Sequence, residues 1–136
     1  MLTIDGFKIA RLYRKHKDGG VCLIYYSEKL HIYEREDLKS DMEAIWIDLT
    51  IRSQKVLIGC FYRAPDDYGF YNKFYNSMEG IVKKRKNVVI LGDFNSDLLT
   101  RGYEGRRLLR IHGSHDLHNV KDQGPHKGNR NNIYYY

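Results

Sequence analysis

Apolar and polar positions along the chain predict several strands and one amphipathic helix. A continuous apolar run at residues 21–26 predicts a strand. Residues 43–51 alternate, with isoleucines and a leucine on one face and polar side chains and Trp46 on the other, which is typical of a half-buried strand. A short polar gap separates this segment from a second apolar run at residues 56–62. The two runs therefore predict an antiparallel hairpin.

A helix and a further strand follow the hairpin. Pro65 cannot continue a central strand, and Asp66 or Asp67 is a suitable N-cap for what comes next. The spacing of the apolar side chains from Phe70 to Ile81 predicts an amphipathic helix that ends at the basic residues 83–86. The aliphatic run at residues 88–91 then predicts a strand that is buried on both faces. Strand, helix and strand make a βαβ unit, which places Tyr62 and Asp93 at one edge of a sheet.

The last third of the chain carries weaker patterns. Residues 97–112 predict a loop and a second helix that ends at Gly113. From residue 122 onward the composition turns to Gly, Asn, His, Lys and Arg, and we expect disorder over residues 122–136. A chain of 136 residues can bury one core, so we expect a single domain over residues 1–121.

Two polar side chains stand at the end of the strand at residues 88–91. Asp93 and Asn95 follow Gly92 with a spacing of two, which places both on one side of extended chain. A carboxylate can orient or deprotonate a water, and an amide can donate hydrogen bonds to phosphate oxygens that gain charge during hydrolysis. Gly, Asp and Asn are also the commonest turn residues, so an ordinary turn is the alternative interpretation.

Charge and composition narrow the class of partner. The net charge is +6, with acidic residues concentrated at 28–48 and basic residues at 83–136. A polyanionic partner is expected, with DNA first, because clustered Lys and Arg neutralise phosphates. Cys22 and Cys60 each lie in an apolar run and are expected to be buried free thiols. Neither a membrane span nor a signal-peptide segment is present, so we expect an intracellular protein, nuclear or cytoplasmic and not secreted.

Four motifs occur in a consistent order along the chain. They are Gly19-Gly20-Val21, Glu43-Ala44-Ile45-Trp46, Tyr62-Arg63-Ala64-Pro65 and Gly92-Asp93-Phe94-Asn95. In this combination the chain resembles the endonuclease/exonuclease/phosphatase superfamily, and most of all the endonuclease domains of non-LTR retrotransposons. The resemblance implies an α/β fold, part of an α/β/β/α four-layer sandwich of mixed sheets with flanking helices. It also implies a phosphodiester hydrolase that nicks DNA with Mg²⁺.

The resemblance assigns roles where residues match. Asp93 takes the position of the aspartate that orients the attacking water, Asn95 that of the asparagine that stabilises the phosphoryl group, and Tyr62 that of the tyrosine that contacts the scissile phosphate. Arg63 is expected to contact the DNA backbone. Further backbone contacts are expected from the cations Lys83, Lys84, Arg85, Arg106 and Arg107.

Other parts of the family pattern are missing. No metal-binding glutamate motif precedes residue 21 and no Ser-Asp-His motif follows Asn95, so the metal ligands are unknown and Glu43 is expected to be structural. We therefore expect an internal fragment or truncated copy of a retroelement endonuclease with little or no turnover, and exposed apolar sheet surface that promotes self-association. The alternatives are a non-catalytic nucleic-acid-binding remnant and a lipid or inositol phosphodiesterase of the same superfamily.

Overall fold

The computed structural model describes residues 3–12, 22–95, 117–119 and 132–135, the last two segments by their backbone only. The helix expected within residues 97–112, together with Arg106 and Arg107, lies outside the described residues. The elements in chain order are β1 (Phe7–Arg11), β2 (Leu23–Ser27), β3 (His31–Glu34), β4 (Glu43–Ile51), β5 (Gln54–Tyr62), α1 (Phe70–Val82), β6 (Asn87–Asp93), β7 (Leu117–Asn119) and β8 (Asn132–Tyr135). A 3₁₀ turn at Glu36–Leu38 separates β3 from β4.

Two sheets organise the described part of the chain. Strands β1 and β2 form a two-stranded antiparallel sheet. The other six form a mixed sheet in the order β3-β4-β5-β6-β8-β7. Its β3-β4-β5 half is antiparallel, and its β5-β6-β8-β7 half is parallel.

The predicted hairpin of β4 and β5 is confirmed. Its register runs from Glu43 opposite Tyr62 to Ile51 opposite Gln54. The connecting residues Arg52 and Ser53 have φ values of 45° and 68°. Positive φ at both central residues is the conformation whose twist matches that of two antiparallel strands, so the turn fixes the register.

The βαβ unit is also confirmed, because β6 runs parallel to β5 after α1. Helix α1 begins at Phe70, the first of the predicted apolar positions, but its predicted N-caps are wrong. Its N-cap is Gly69, which makes no side-chain capping bond, so neither Asp66 nor Asp67 caps the helix. The intervening residues make turn hydrogen bonds instead, from Asp67 N to Ala64 O (3.1 Å) and from Tyr68 N to Asp66 O (3.1 Å).

An aromatic core joins α1 to the large sheet. Phe61 lies at its centre and meets Trp46 edge-on, with ring centroids 5.1 Å apart, and Phe74 edge-on at 5.2 Å. Phe94, which directly follows β6, stacks on Phe61 at 6.1 Å. Such edge-to-face and offset pairs add to the free energy gained by burying the rings. The core therefore anchors both strand ends that carry the predicted site residues.

The opposite face of the large sheet packs against the β1-β2 sheet. Ala10 and Cys22 are buried there against Ile45 and Ile47. The prediction that residues 88–91 are buried on both faces is wrong for Leu91, which is 36% exposed, because the two-stranded sheet covers β4 and β5. Helix, large sheet and small sheet make three layers of mixed α/β character, in agreement with the predicted fold class.

The C-terminal segment requires one correction. Residues Asn132–Tyr135, within the tail expected to be disordered, form β8 between β6 and β7. Pairing with β6 satisfies their backbone groups, a long-range contact that composition does not reveal. No helix in the described ranges has the length and apolarity needed to cross a membrane.

Candidate functional site at the ends of β5 and β6

The predicted residues Tyr62 and Asp93 are register partners at the carboxyl ends of two adjacent parallel strands. Residues opposite each other in a sheet project from the same face, so both side chains lie on the face that packs against the β1-β2 sheet. Tyr62 is half-buried and Asp93 is exposed. Ligands of α/β sheets bind at this end of the strands.

A tight turn holds Asp93 and Asn95 together. The backbone N–H of Asn95 donates to Asp93 Oδ1 at 2.9 Å. Asn95 has φ of 45°, a left-handed conformation that Asn tolerates better than most residues. Its side chain is tethered, because Nδ2 donates to the carbonyl oxygen of Arg63 at 2.6 Å. Asp93 is exposed, and within the described residues its Oδ2 accepts no hydrogen bond.

Gly92 permits the close approach of the two strand ends. It has φ of 159°, and a Cβ atom there would lie 2.2 Å from the carbonyl oxygen of Phe61. No side chain fits without moving the backbone of β5 or β6. Glycine is therefore sterically required at this position for the carboxyl ends of β5 and β6 to lie this close together.

Arg63 is fully buried, whereas its predicted contact with a DNA backbone requires an accessible side chain. Its exposure is 0% and its guanidinium donates to backbone carbonyls on two loops. Nε donates to Asp67 O at 3.1 Å, and Nη1 donates to Phe94 O at 3.2 Å and Asn95 O at 3.3 Å. The guanidinium also lies 4.9 Å from the ring centroid of Tyr71. Arg63 thus holds together the segments that follow β5 and β6, which carry the candidate site.

Sequence reasoning missed this role because an arginine after a strand carries no burial signal. Arginine is almost never fully buried unless its charge is compensated. The only cue in the sequence was Pro65, two residues farther on, because it marks a loop. Backbone carbonyls in such a loop need hydrogen-bond donors from elsewhere in the chain.

The predicted cations of α1 lie far from this edge. Lys83 and Lys84 are exposed where α1 ends, at the start of β6. Strand β6 has seven residues, which separates them from Asp93 by about 20 Å. The structure therefore does not gather them with Tyr62 and Asp93.

Arg85 has a structural partner. Its Nη2 donates to Asp48 Oδ2 at 2.8 Å, and Arg35 Nη1 donates to the same oxygen at 2.8 Å. Together with Asp37, Asp48 raises the pKa of Arg35 by hydrogen bonding. The guanidinium of Arg85 thus neutralises a buried carboxylate, and its contact with nucleic acid stays a prediction.

The described residues do not form a metal centre on their own. Among them, no three His, Cys, Asp or Glu side chains converge. Glu43 on β4 is the register partner of Tyr62 on β5, and Tyr62 is the register partner of Asp93 on β6. The carboxylates of Glu43 and Asp93 therefore share a face of the sheet but belong to strands about 10 Å apart. Mg²⁺ is usually held by one or two carboxylates together with waters and substrate phosphates, so these two carboxylates alone do not define a set of ligands.

Comparison with known proteins identifies the fold. Neither the protein-family models nor the curated proteins include a match to this sequence. The structure is similar to the endonuclease domain of TRAS1, a telomere-specific non-LTR retrotransposon, with a TM-score of 0.66 and 15% identity. The match covers 82% of this chain and 53% of that domain, so this chain spans about half of the domain's length. The chain therefore has the mixed α/β fold of a non-LTR retrotransposon endonuclease domain, as its ordered motifs predicted.

Proposed function

We propose that the edge formed by Tyr62, Asp93 and Asn95 is a phosphodiester site of endonuclease type, with DNA as substrate. The observation that carries the proposal is the register pairing of Tyr62 with Asp93 at the carboxyl ends of parallel strands. The fold shared with a retrotransposon endonuclease domain supports it. Fold alone does not assign chemistry, so the argument depends on these three side chains.

Each side chain suits one part of phosphodiester hydrolysis. Asp93 is exposed, and its carboxylate can accept a proton from an attacking water. Asn95 is held by its bond to Arg63 O, which leaves its second amide N–H to donate to a phosphoryl oxygen. Tyr62, the register partner of Asp93, carries a phenol that can donate a hydrogen bond on the same face of the sheet. This arrangement binds and orients a phosphate and a water.

The family resemblance implies Mg²⁺, but no three potential ligands converge among the described residues, and no step is assigned to the metal. A catalytic set that lacks one member commonly loses most of its rate. We therefore expect turnover by this chain to be weak.

Nicking of supercoiled plasmid tests the proposal. The purified chain is compared with Asp93→Asn, which keeps the shape of the side chain, in Mg²⁺ and in EDTA. The matched control is Asp5→Asn, an exposed aspartate outside the site. Weak nicking in Mg²⁺ should disappear in Asp93→Asn and persist in Asp5→Asn. Nicking that persists in both variants would refute the assignment of Asp93.

A second candidate function is non-catalytic binding of nucleic acid. The net charge of +6 and the exposed cations Lys83 and Lys84 favour this function. The two lysines lie about 20 Å from Asp93 and are therefore separate from the candidate site. Phosphate contacts release counterions, so affinity for duplex DNA should fall steeply between low and high salt. Lys83→Gln with Lys84→Gln should reduce the salt dependence. Affinity that does not change with salt would exclude this candidate.

A further inference from the structure

Two cysteines far apart in sequence meet between the two sheets. Cys22 directly precedes β2 and is 4% exposed, while Cys60 lies in β5 and is half-buried. Both belong to the apolar cluster between the β1-β2 sheet and the large sheet, and both thiols are free. The prediction of buried free thiols holds for Cys22 and in part for Cys60.

The strand register places the two cysteines at neighbouring positions in this cluster. Cys22 Sγ lies 3.5 Å from the carbonyl oxygen of Glu43 on β4. Two residues farther along β4, Ile45 is the register partner of Cys60. Both cysteines belong to the apolar cluster that packs on this face of β4 and β5. Cys22 therefore bridges β2 to the segment of β4 that lies beside Cys60.

Contact between the thiols makes Cys60 the more reactive of the two. A hydrogen bond from Cys22 to the Cys60 sulfur lowers the pKa of Cys60 to about 7. Cys22 has a single S–H proton, which it donates either to Cys60 or to the carbonyl of Glu43. The thiolate is the nucleophile in thiol oxidation, and Cys60 is also the more accessible sulfur.

We propose that Cys22 and Cys60 form a redox-active dithiol that a hydroperoxide converts to an intramolecular disulfide. In the first step the Cys60 thiolate attacks the peroxide, the O–O bond breaks, and a sulfenic acid forms with release of hydroxide from hydrogen peroxide or alkoxide from an organic hydroperoxide. In the second step the Cys22 sulfur attacks the sulfenic sulfur, the S–S bond forms, and water leaves with the Cys22 proton. The two thiols are oxidised by two electrons and the peroxide is reduced. Glutathione reverses the reaction by thiol–disulfide exchange.

The disulfide has a structural consequence that does not depend on the proposed function. It would link the small sheet covalently to β5, two residues before Tyr62. Oxidation would thus fix the β1-β2 sheet on the face that carries the candidate site. This property would be present whether or not the chain cleaves DNA.

Peptide mapping of the oxidised chain tests the proposal. The native protein is treated with hydrogen peroxide, the remaining thiols are alkylated, and the chain is digested with trypsin without reduction. Cleavage at the flanking Lys and Arg residues places Cys22 in peptide 18–29 and Cys60 in peptide 56–63. We expect these peptides to be joined, the intact mass to fall by two hydrogen atoms, and glutathione to restore both.

Two controls separate a preorganised pair from random oxidation. The same treatment in urea should slow formation of the crosslink several-fold, because unfolding removes the contact between the thiols. Cys22→Ser and Cys60→Ser should each give no crosslink, and Cys22→Ser should leave a trappable sulfenic acid on Cys60. The proposal is overturned if the native chain gives no joined peptide, if only intermolecular crosslinks form, or if the crosslink forms equally fast in urea.

Discussion

At the residue scale, the candidate site depends on a buried cation that never touches solvent. Arg63 binds carbonyls from the loop after β5 and from the turn after β6, so one side chain sets the positions of both. Its own carbonyl in turn accepts the amide of Asn95. Arg63 is a positioning residue, and the exposed polar side chains around it carry the chemistry proposed above.

Replacement of Arg63 should destabilise the fold as well as the site. Arg63→Met keeps the length of the side chain but leaves several buried carbonyls without a donor, so we expect a loss of about 3 kcal/mol in the free energy of unfolding. Arg63→Lys retains the charge but not the planar fork, and should fall between wild type and Arg63→Met. Urea unfolding measures both variants. Wild-type midpoints in the two variants would contradict this role.

Gly92 is a second residue on which the geometry of the site depends, because it has no side chain. Gly92→Ala places Cβ against the carbonyl of Phe61, so the backbone must shift, and we expect destabilisation of about 2 kcal/mol with loss of any plasmid nicking. The matched control is Gly80→Ala on the exposed side of α1, where the new Cβ meets nothing within 4 Å. That change should stabilise the chain by about 0.5–1 kcal/mol. Similar melting temperatures for the two variants would refute the steric argument.

At the element scale, an ion-pair cluster on the α1 side joins three separate segments. Asp48 on β4 accepts from Arg35, which follows β3, and from Arg85, which follows α1. Its Oδ1 is buried and has no hydrogen-bond partner among the described residues. Asp48 Oδ2 therefore accepts the hydrogen bonds of both ion pairs.

Removal of the Asp48 charge should loosen the attachment of α1 and the 3₁₀ turn to the sheet. Asp48→Asn leaves the mostly buried guanidinium of Arg85 without its ion-pair partner and that of Arg35 with Asp37 alone, and we expect a loss of about 3 kcal/mol. Glu36→Gln breaks the exposed pair with Lys39 and should cost less than about 1 kcal/mol. Thermal unfolding of both variants measures the difference, and equal losses would show that burial of the Asp48 pairs is unimportant.

The strands and helix differ in how well the sequence predicted them. The β4-β5 hairpin was predicted within two residues of its bounds, because alternation in β4 and the polar gap are local signals. The N-cap of α1 was misplaced, because Asp66 and Asp67 look like caps while their backbones make turns. Strand β8 was missed, because it exists through pairing with β6 and β7.

At the scale of the whole molecule, apolar surface lies on the outer face of the small sheet. Phe7 is 49% and Leu23 is 45% exposed, on the face of β1-β2 opposite buried Ala10. We expect concentration-dependent self-association, measured by sedimentation, because contiguous exposed apolar side chains favour contact between molecules. Phe7→Ser with Leu23→Ser should shift the chain toward monomer, while Tyr68→Ser, which removes an exposed aromatic from the α1 side, should not. A wild-type chain that stays monomeric at high concentration would contradict the expectation.

By itself the sequence determined the local elements and the adjacency of the candidate site residues. Periodicity marks β4, β5 and α1, and a βαβ connection places the carboxyl ends of its two strands at the same end of the sheet, so Tyr62 and Asp93 could be assigned to that end from the motifs. Only the tertiary structure decided which charged side chains are buried. In the sequence, Arg63 and Arg85 cannot be distinguished from surface cations. Long-range packing gives Arg63 carbonyl partners and Arg85 a carboxylate partner. The contact between Cys22 and Cys60 has the same origin, because it depends on how one sheet lies on another.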